Sequence, residues 1–303
     1  MSNNIKPLNM NGLRGRMLYM PAPRNIKREI LLLYGHHASL ERMYGIAEDM
    51  NQYGAVTMPD FPGFGGMDSF YKIGMKPTLD NLADYLAAFI KLRYKDKKIT
   101  ISGMSFGFVV ATRMLQNYPK LTKNVNLLIS VVGFCHRDDI TFSKPRYYFY
   151  RTTAIIFSTR ITAAFFRNVI LHPTVLKLVY SKTHNAKNKF KDLSPAEARR
   201  AMDFEVHLWH CNDVRTYMST TTSMLTLDNC QKQIAMPVQH ISVDLDQYFN
   251  NEIIEQHMRI IFTDFTDNRA VLDNHAPSII ADKEAAKGMM PESIRQLLIR
   301  PRS

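Results

Sequence analysis

Residues 98–110 read Lys98-Ile99-Thr100-Ile101-Ser102-Gly103-Met104-Ser105-Phe106-Gly107-Phe108-Val109-Val110. The apolar stretch from residue 99 to 102 predicts a strand, and the residues from 108 onward predict a helix. Between them lies Gly-x-Ser-x-Gly, with Ser105 at its centre. Glycines two residues before and two after a serine let the backbone turn sharply from strand to helix and leave the hydroxyl exposed. The five residues alone fit a glycine-rich turn with an ordinary serine equally well, so the rest of the chain decides the interpretation.

Strands and helices are predicted to alternate around this turn. The apolar runs that predict strands lie at Glu29–Tyr34, Ala55–Met58, Ile99–Ser102, Val125–Val132 and Val238–Val243. Helix-like stretches separate the first four, at Leu40–Asn51, Leu79–Tyr94 and Phe108–Tyr118. Near the start, Asn11-Gly12 predicts a tight turn between two strands, Lys6–Met10 and Arg16–Met20. Continuous apolar strands alternating with helices indicate an α/β protein, with a mostly parallel sheet that helices flank on both faces.

This regularity lapses after Gly133 and returns near Met236. The hundred or so residues between them are aromatic, basic and helical in character, which predicts an inserted, mainly helical cap. We therefore expect a core formed by residues 1–133 and 236–303, with a cap at 134–235. Within the cap, Ser194-Pro195-Ala196-Glu197 has the pattern of a capping box and predicts the start of a helix that runs through Trp209.

The composition and the apolar runs favour a globular protein over a membrane-spanning or disulfide-rich one. The chain has 303 residues, of which 46% are hydrophobic, as in globular proteins. It contains no apolar stretch of about 18 residues and no secretory signal pattern in residues 1–24, so a cytoplasmic protein is the expectation. Three widely spaced cysteines without CxxC spacing favour reduced thiols over a disulfide framework or a zinc site. We expect no metal and no cofactor.

The formal net charge of +12 is unevenly distributed. No Asp or Glu occurs from Ile140 to Lys191, whereas ten Lys and Arg residues and many aromatics do. Such a segment fits peripheral contact with an anionic membrane, where cations meet phosphate and aromatics insert at the interface. Nucleic acid is the less favoured partner, because no recognised nucleic-acid motif accompanies the charge. The plainer alternative is a solvated basic face over aromatics that fill a core.

Three motifs, in this order, resemble the α/β-hydrolase family over nearly the whole chain. Leu31-Leu32-Leu33-Tyr34-Gly35-His36 resembles its strand and oxyanion turn, Pro59-Asp60-Phe61-Pro62-Gly63-Phe64-Gly65 its Asp-x-Pro-Gly-x-Gly loop, and Gly103–Gly107 its nucleophile elbow. The resemblance implies that Ser105 is a nucleophile, activated by a histidine that an acid orients. It also implies two backbone N–H donors for the oxyanion, those of His36 and Phe106.

The resemblance further implies where the acid and the base lie. The family's acid follows the strand after the cap, which points to Asp246, with Asp244 as its close rival and Asp138 or Asp139 as weaker ones. The family's histidine follows the last strand and is often followed by Ala-Pro, which points to His275 in the stretch 269–277. The order Ser105, Asp246, His275 is the family's order. Five other histidines are expected to be surface or core residues: His136, His207, His210, His240 and His257.

One residue departs from the family pattern. Tyr34 stands where the usual histidine of the His-Gly dipeptide would be. In the family that residue braces the oxyanion loop and does not react. The tyrosine is therefore expected to affect the geometry of this loop more than the mechanism. His36 and His37 have a second interpretation, as side chains that point into the pocket.

The function that this resemblance implies is hydrolysis of an ester through an acyl-enzyme, on a small-molecule substrate with an apolar or acyl-chain part. Amide, thioester and carbon–carbon cleavage stay open, because all of them use the same triad. Epoxide and haloalkane members use an aspartate nucleophile, so Ser105 argues against both. The alternative class is a catalytically silent member of the fold that binds a ligand or a partner protein.

Overall fold

The structure is a computed structural model that describes residues 2–182, 194–244, 246–270 and 286–300. Its centre is an eight-stranded sheet with the strand order β1-β2-β4-β3-β5-β6-β7-β8. In chain order the strands are β1 Ile5–Met10, β2 Leu13–Met20, β3 Glu29–Leu33, β4 Ala55–Pro59, β5 Ile99–Met104, β6 Val125–Val131, β7 Ile234–Val243 and β8 Phe262–Ala270.

The sheet is mostly parallel. β2 pairs antiparallel with β1 and β4, and all pairings from β4 across to β8 are parallel. Every residue of β4 and β5 is buried. Burial of both faces of a strand requires helices on both sides of the sheet, which explains the continuous apolar runs in the sequence. The predicted strands of the core are confirmed, with ends that shift by a few residues.

The predicted hairpin at the start is also present. Asn11 and Gly12 have φ values of 50° and 79°, the left-handed conformation that a tight type I′ turn requires at both positions. The register pairs Met10 with Leu13 across this turn.

Among the described residues, the core helices before the cap segment are α1 Tyr44–Asn51, α2 Leu79–Tyr94 and α3 Phe106–Asn117. Those described after the cap segment are α9 Asn251–Ile261 and α10 Glu292–Ile299. Helix α2 has the bounds that the sequence predicted. Helix α1 begins four residues later than predicted.

The segment between β6 and β7 is helical. It contains α4 Lys144–Phe157, α5 Arg160–Phe165, a π-helical turn Phe166–Ile170, α6 Pro173–Lys182, α7 Pro195–Cys211 and α8 Val214–Leu225. Helix α7 begins with the predicted capping box. The Ser194 hydroxyl accepts the backbone N–H of Glu197, and the Glu197 carboxylate accepts the backbone N–H of Ser194. The exact limits 1–133, 134–235 and 236–303 stay a prediction.

None of the helices in the described part of the chain is long and apolar enough to cross a membrane. The expected cytoplasmic location stays a prediction.

Candidate functional site

Ser105 lies at the sharp turn between β5 and α3. Its φ and ψ are 47° and −117°, a conformation that residues with a side chain rarely adopt. Its backbone N–H donates to the carbonyl oxygen of Val131 at 2.9 Å, and its own carbonyl accepts from the N–H of Phe108 at 3.0 Å. The turn is therefore anchored both to the neighbouring strand β6 and to the first turn of α3, while the Ser105 residue stays partly exposed.

The two motif glycines are required by close packing. A Cβ at Gly103 would lie 2.7 Å from the Cα of Phe108, and one at Gly107 would lie 2.6 Å from the carbonyl oxygen of Tyr34. Both distances are too short for any side chain. Glycine at these positions lets α3 start directly against the carboxyl ends of β5 and β3, which holds Ser105 at the crest of the turn.

The loop after β3 reaches the same place. A Cβ at Gly35 would lie 3.3 Å from the Cβ of Ser105, so the backbone of this loop passes beside the serine. Tyr34, immediately before it, donates its hydroxyl to Oδ1 of Asp60 at 3.0 Å and accepts the backbone N–H of Phe61 at 2.9 Å. Tyr34 thus ties the Gly35 loop to the loop that follows β4.

Asp60 is completely buried and has a second partner, the guanidinium of Arg16, whose Nε lies 3.2 Å from Oδ2. Burial raises the pKa of the Asp60 carboxyl, and the charge of Arg16 opposes this rise. Burial, together with the nearby Asp60, also raises the pKa of Tyr34 well above its usual range. The phenol therefore keeps its proton and remains a hydrogen-bond donor.

His36 packs against the cap. Its ring stacks on Tyr217 with centroids 4.2 Å apart, and its Nε2 lies 2.9 Å from Oγ1 of Thr220 on α8. The rings of Phe64 and Phe106 meet it edge-on at 5.6 and 5.4 Å. Burial, with a smaller contribution from His37, lowers the pKa of His36 to about 3, so this imidazole is neutral near pH 7.

His37 extends the contact with the cap. Its ring centroid lies 4.3 Å from that of Trp209, and its Nε2 lies 3.6 Å from the buried carboxylate of Glu205. Both partners belong to α7. The two histidines after Gly35 are thus half-buried side chains against cap helices, and they are not solvated.

The two acid candidates after β7 have different surroundings. Asp246 is half-buried, and its Oδ1 accepts the backbone N–H groups of Tyr248 and Phe249 at 2.8 and 3.1 Å. Asp244 is exposed and forms an ion pair with Arg269, with 2.6 Å between the two side chains. Hydrogen bonds to backbone N–H groups hold Asp246 in a fixed position, whereas the described contact of Asp244 is an ion pair at the surface.

The weaker acid candidates lie elsewhere on the β6 side. Asp139 is completely buried, and its carboxylate accepts the backbone N–H groups of Cys135 and His136 and contacts Nδ1 of His257 at 2.5 Å. These contacts fix the turn after β6 against α9. Asp138 is exposed beside Arg137.

The proposed base, His275, lies outside the described residues, which end at Ala270 and resume at residue 286. What the structure does describe is the strand before it. Ala270, the last residue of β8, is in register with Val243, the last residue of β7. The chain therefore leaves β8 beside the segment that carries Asp244 and Asp246. This is the side of the sheet formed by the carboxyl ends of the parallel strands, where Ser105 also lies.

Most other histidines with described contacts are held by structural partners. Nδ1 of the buried His240 lies 2.9 Å from the hydroxyl of Ser130, and Nε2 of His210 lies 3.0 Å from the carbonyl oxygen of Leu171. Within the part of the chain that the structure describes, no three His, Cys, Asp or Glu side chains are grouped so that they could hold a metal ion.

Comparisons with known structures identify the fold. An esterase from Exiguobacterium antarcticum superposes with a TM-score of 0.67 at 14% identity, covering 96% of this chain and 97% of its own. The chain has the α/β-hydrolase fold. An epoxide hydrolase from Bacillus megaterium gives a TM-score of 0.65 at 15% identity, with 97% and 98% covered. The enol-lactonase from Burkholderia xenovorans gives 0.64 at 14%, with 97% and 100% covered. No protein-family model and no curated protein matches the sequence.

The α/β-hydrolase fold accounts for the order of the motifs, but several residues of the site were not found from the sequence. Thr220, Tyr217 and Trp209 lie on the cap side of the loop that carries His36 and His37, and no motif in the sequence marks them. The sequence signal for Thr220 is its spacing of four residues from Thr216, which places both on one face of a helix. The structure shows that both are completely buried on that face of α8. Buried hydroxyls on one helix face indicate a polar partner.

Proposed function

We propose that this protein is a serine hydrolase that cleaves a carboxylic ester through Ser105, His275 and Asp246. Ser105 Oγ attacks the carbonyl carbon while His275 takes its proton, and Asp246 stabilises the resulting imidazolium. The alcohol leaves with that proton, and water then hydrolyses the acyl-enzyme. The backbone N–H groups of His36 and Phe106 donate to the oxyanion of each tetrahedral intermediate.

The conformation of Ser105 carries this proposal. A positive φ in a residue with a side chain costs about 1–3 kcal/mol and persists where the surroundings enforce it. Here hydrogen bonds to β6 and α3, together with the two motif glycines, hold Ser105 in this conformation. The Gly35 loop lies beside the Cβ of Ser105. Strain of this kind, placed where a hydroxyl meets a loop with backbone donors, supports a nucleophile over an ordinary serine.

The surroundings of the site support an apolar acyl group. Phe64, Phe106, Tyr217 and the ring of a neutral His36 cluster together, with centroid separations of 4.2–6.3 Å. Phe64 and Phe106 are completely buried, so the surroundings of Ser105 on this side are apolar and uncharged, which favours an apolar group over a charged one. Position 105 holds a hydroxyl and not the carboxylate that the family uses to open epoxides, which favours an ester over the epoxide substrate that one structural neighbour is named for.

The first experiment is labelling with a fluorophosphonate probe, read by intact mass. We expect one adduct on the native protein and none on Ser105→Ala or His275→Ala, because only an activated serine reacts. Ser102→Ala, a change of a buried serine three residues away, is the matched control and should label like the native protein. Absence of labelling in the native protein would favour the binding-protein alternative.

Kinetics on esters of increasing acyl length then tests which aspartate is the acid of the triad. Asp246→Asn should lower kcat by a factor of about 10³–10⁴, as loss of a triad acid does elsewhere. Asp244→Asn removes the same charge from an exposed position two residues away and should change kcat by no more than about threefold. The reverse pattern would assign the acid to Asp244.

A further inference from the structure

Helix α4 presents apolar side chains on its outer face. Tyr148 and Phe149 are 61% and 66% exposed, and Ile155 and Ile156, two turns further on, are also about half exposed. Residues seven and eight apart lie on the same side of a helix. The opposite side packs inward, where Ala154 is buried and the Tyr147 hydroxyl donates to the carbonyl oxygen of Leu225 on α8. The face toward solvent thus carries large apolar side chains as well as cations.

Helix α5 continues this surface. It contacts α4, and the Thr162 hydroxyl donates to the carbonyl oxygen of Ile156 at the end of α4. Ile161 and Phe165, four residues apart on α5, are 83% and 54% exposed, while Ala163 packs inward. We call the exposed apolar side chains of these two helices the outer cap face; they are Tyr148, Phe149, Ile155, Ile156, Ile161 and Phe165.

Cations accompany the outer cap face. Lys144, Tyr148, Arg151 and Ile155 follow one another at steps of four, three and four residues, so they form one row along α4. Arg160 begins α5 and is exposed. Among the described residues, none of these three cations forms an ion pair with a carboxylate. Because the segment contains no Asp or Glu, its charge is unbalanced.

We propose that the outer cap face docks on an anionic phospholipid membrane surface, with its aromatic and aliphatic side chains among the acyl chains and its cations against phosphate. Exposed apolar surface next to unpaired cations has this complementarity. A second copy of the chain fits less well, because a two-fold contact would place identical cations opposite each other. Nucleic acid fits less well because three isoleucines offer no ring on which a base could stack.

Flotation with lipid vesicles tests the docking. The Ser105→Ala protein is used, so that binding is measured without hydrolysis and does not rest on the proposed function. We expect binding to phosphatidylcholine vesicles that contain about 30% phosphatidylglycerol, at least about tenfold weaker binding to pure phosphatidylcholine, and release as salt rises from about 0.05 to about 0.5 M. Equal binding to both vesicles, or binding to neither, would overturn the proposal.

Two pairs of variants locate the surface. Phe149→Ser with Ile161→Ser should weaken binding at least about tenfold, whereas Leu92→Ser with Ile299→Ser, which changes equally exposed apolar residues on α2 and α10, should not. Arg151→Glu with Arg160→Glu should abolish the preference for anionic lipid. Lys27→Glu with Lys120→Glu removes the same net charge before β3 and β6, at the opposite end of the sheet, and should retain most binding.

The oligomeric state, measured by light scattering, distinguishes the remaining explanation. A monomer that binds anionic vesicles supports the proposal. A dimer that Phe149→Ser dissociates, without any vesicle binding, would overturn it and assign the outer cap face to a contact between copies. Circular dichroism of each variant shows whether a loss of binding reflects loss of the fold.

Discussion

His36 and Thr220 join the loop beside Ser105 to the cap, with 2.9 Å between Nε2 and Oγ1. The Thr220 hydroxyl lies 2.8 Å from the carbonyl oxygen of Thr216, so its single hydrogen is used within α8. Nε2 of His36 must therefore carry the proton and donate to Thr220. This assigns the tautomer from the hydrogen-bond network and places a neutral imidazole between the Gly35 loop and the cap.

Thr220→Val is expected to lower kcat by about tenfold and to leave KM nearly unchanged, because the lost hydrogen bond, worth about 1 kcal/mol, positions the loop that carries the His36 N–H. Thr222→Val is the matched control. The Thr222 hydroxyl donates to the carbonyl oxygen of Met218 within its own helix. Steady-state kinetics on the ester that the acyl-length series identifies measures both variants, and equal losses in the two would contradict a positioning role for Thr220.

Acid should destabilise the protein through His36. Its pKa is about 3 in the folded state and about 6.5 when unfolded, so between these values the unfolded chain binds a proton that the folded chain does not. The free energy of unfolding then falls as pH falls, by up to about 1.4 kcal/mol per pH unit below about 6.5. At neutral pH and above, this contribution is constant.

Urea denaturation at several pH values between about 4.5 and about 7 measures this effect. His36→Asn should flatten the dependence relative to the native protein, because the titrating group is gone. His172→Asn changes an exposed histidine and serves as the control. A native slope that His36→Asn leaves unchanged would show that acid sensitivity comes from other groups.

Tyr34→Phe should destabilise the protein by about 1–3 kcal/mol, because it leaves the buried Asp60 carboxylate without one of its donors. Tyr118→Phe is a matched control, since Tyr118 donates to the exposed carboxylate of Asp84 at 2.8 Å and solvent can replace it. That change should cost no more than about 0.5 kcal/mol. Urea midpoints that fall equally in both variants would contradict the bracing role of Tyr34.

The core strands were predictable because burial on both faces leaves continuous apolar runs, as in β4 and β5. Strand β8 was not predicted from its residues. It lies at the edge of the sheet, its buried positions do not alternate regularly, and most of its side chains are polar. Its conformation comes from backbone pairing with β7 and from packing of α9, neither of which a local pattern shows.

The candidate site likewise has a part that the sequence predicts and a part that it does not. The turn around Ser105 was predictable because two glycines and a serine at fixed spacing encode local backbone geometry. The contacts of Tyr34 with Asp60 and of His36 with Thr220 were not, since they join residues 26 and 184 positions apart in the chain. Only the packing of loop on loop, and of cap on core, brings those pairs together.

The strain at Ser105 can be measured as a difference in stability between two variants. At φ 47° an alanine bears strain of about 1–3 kcal/mol that a glycine does not. Alanine normally has an advantage of about 0.4–1 kcal/mol over glycine through the unfolded chain, which offsets only part of this strain. Ser105→Gly should therefore be more stable than Ser105→Ala by about 1 kcal/mol. The order of the two variants is therefore expected to be inverted at this position.

Ser158 provides the matched pair for this comparison. Its φ of −80° and ψ of −10° suit any residue, so Ser158→Ala should be at least as stable as Ser158→Gly. Urea denaturation of all four variants gives both differences without reference to catalysis. If alanine is also the more stable residue at position 105, the turn stores no strain, and the observation on which the nucleophile assignment rests is lost even though the Gly-x-Ser-x-Gly pattern remains.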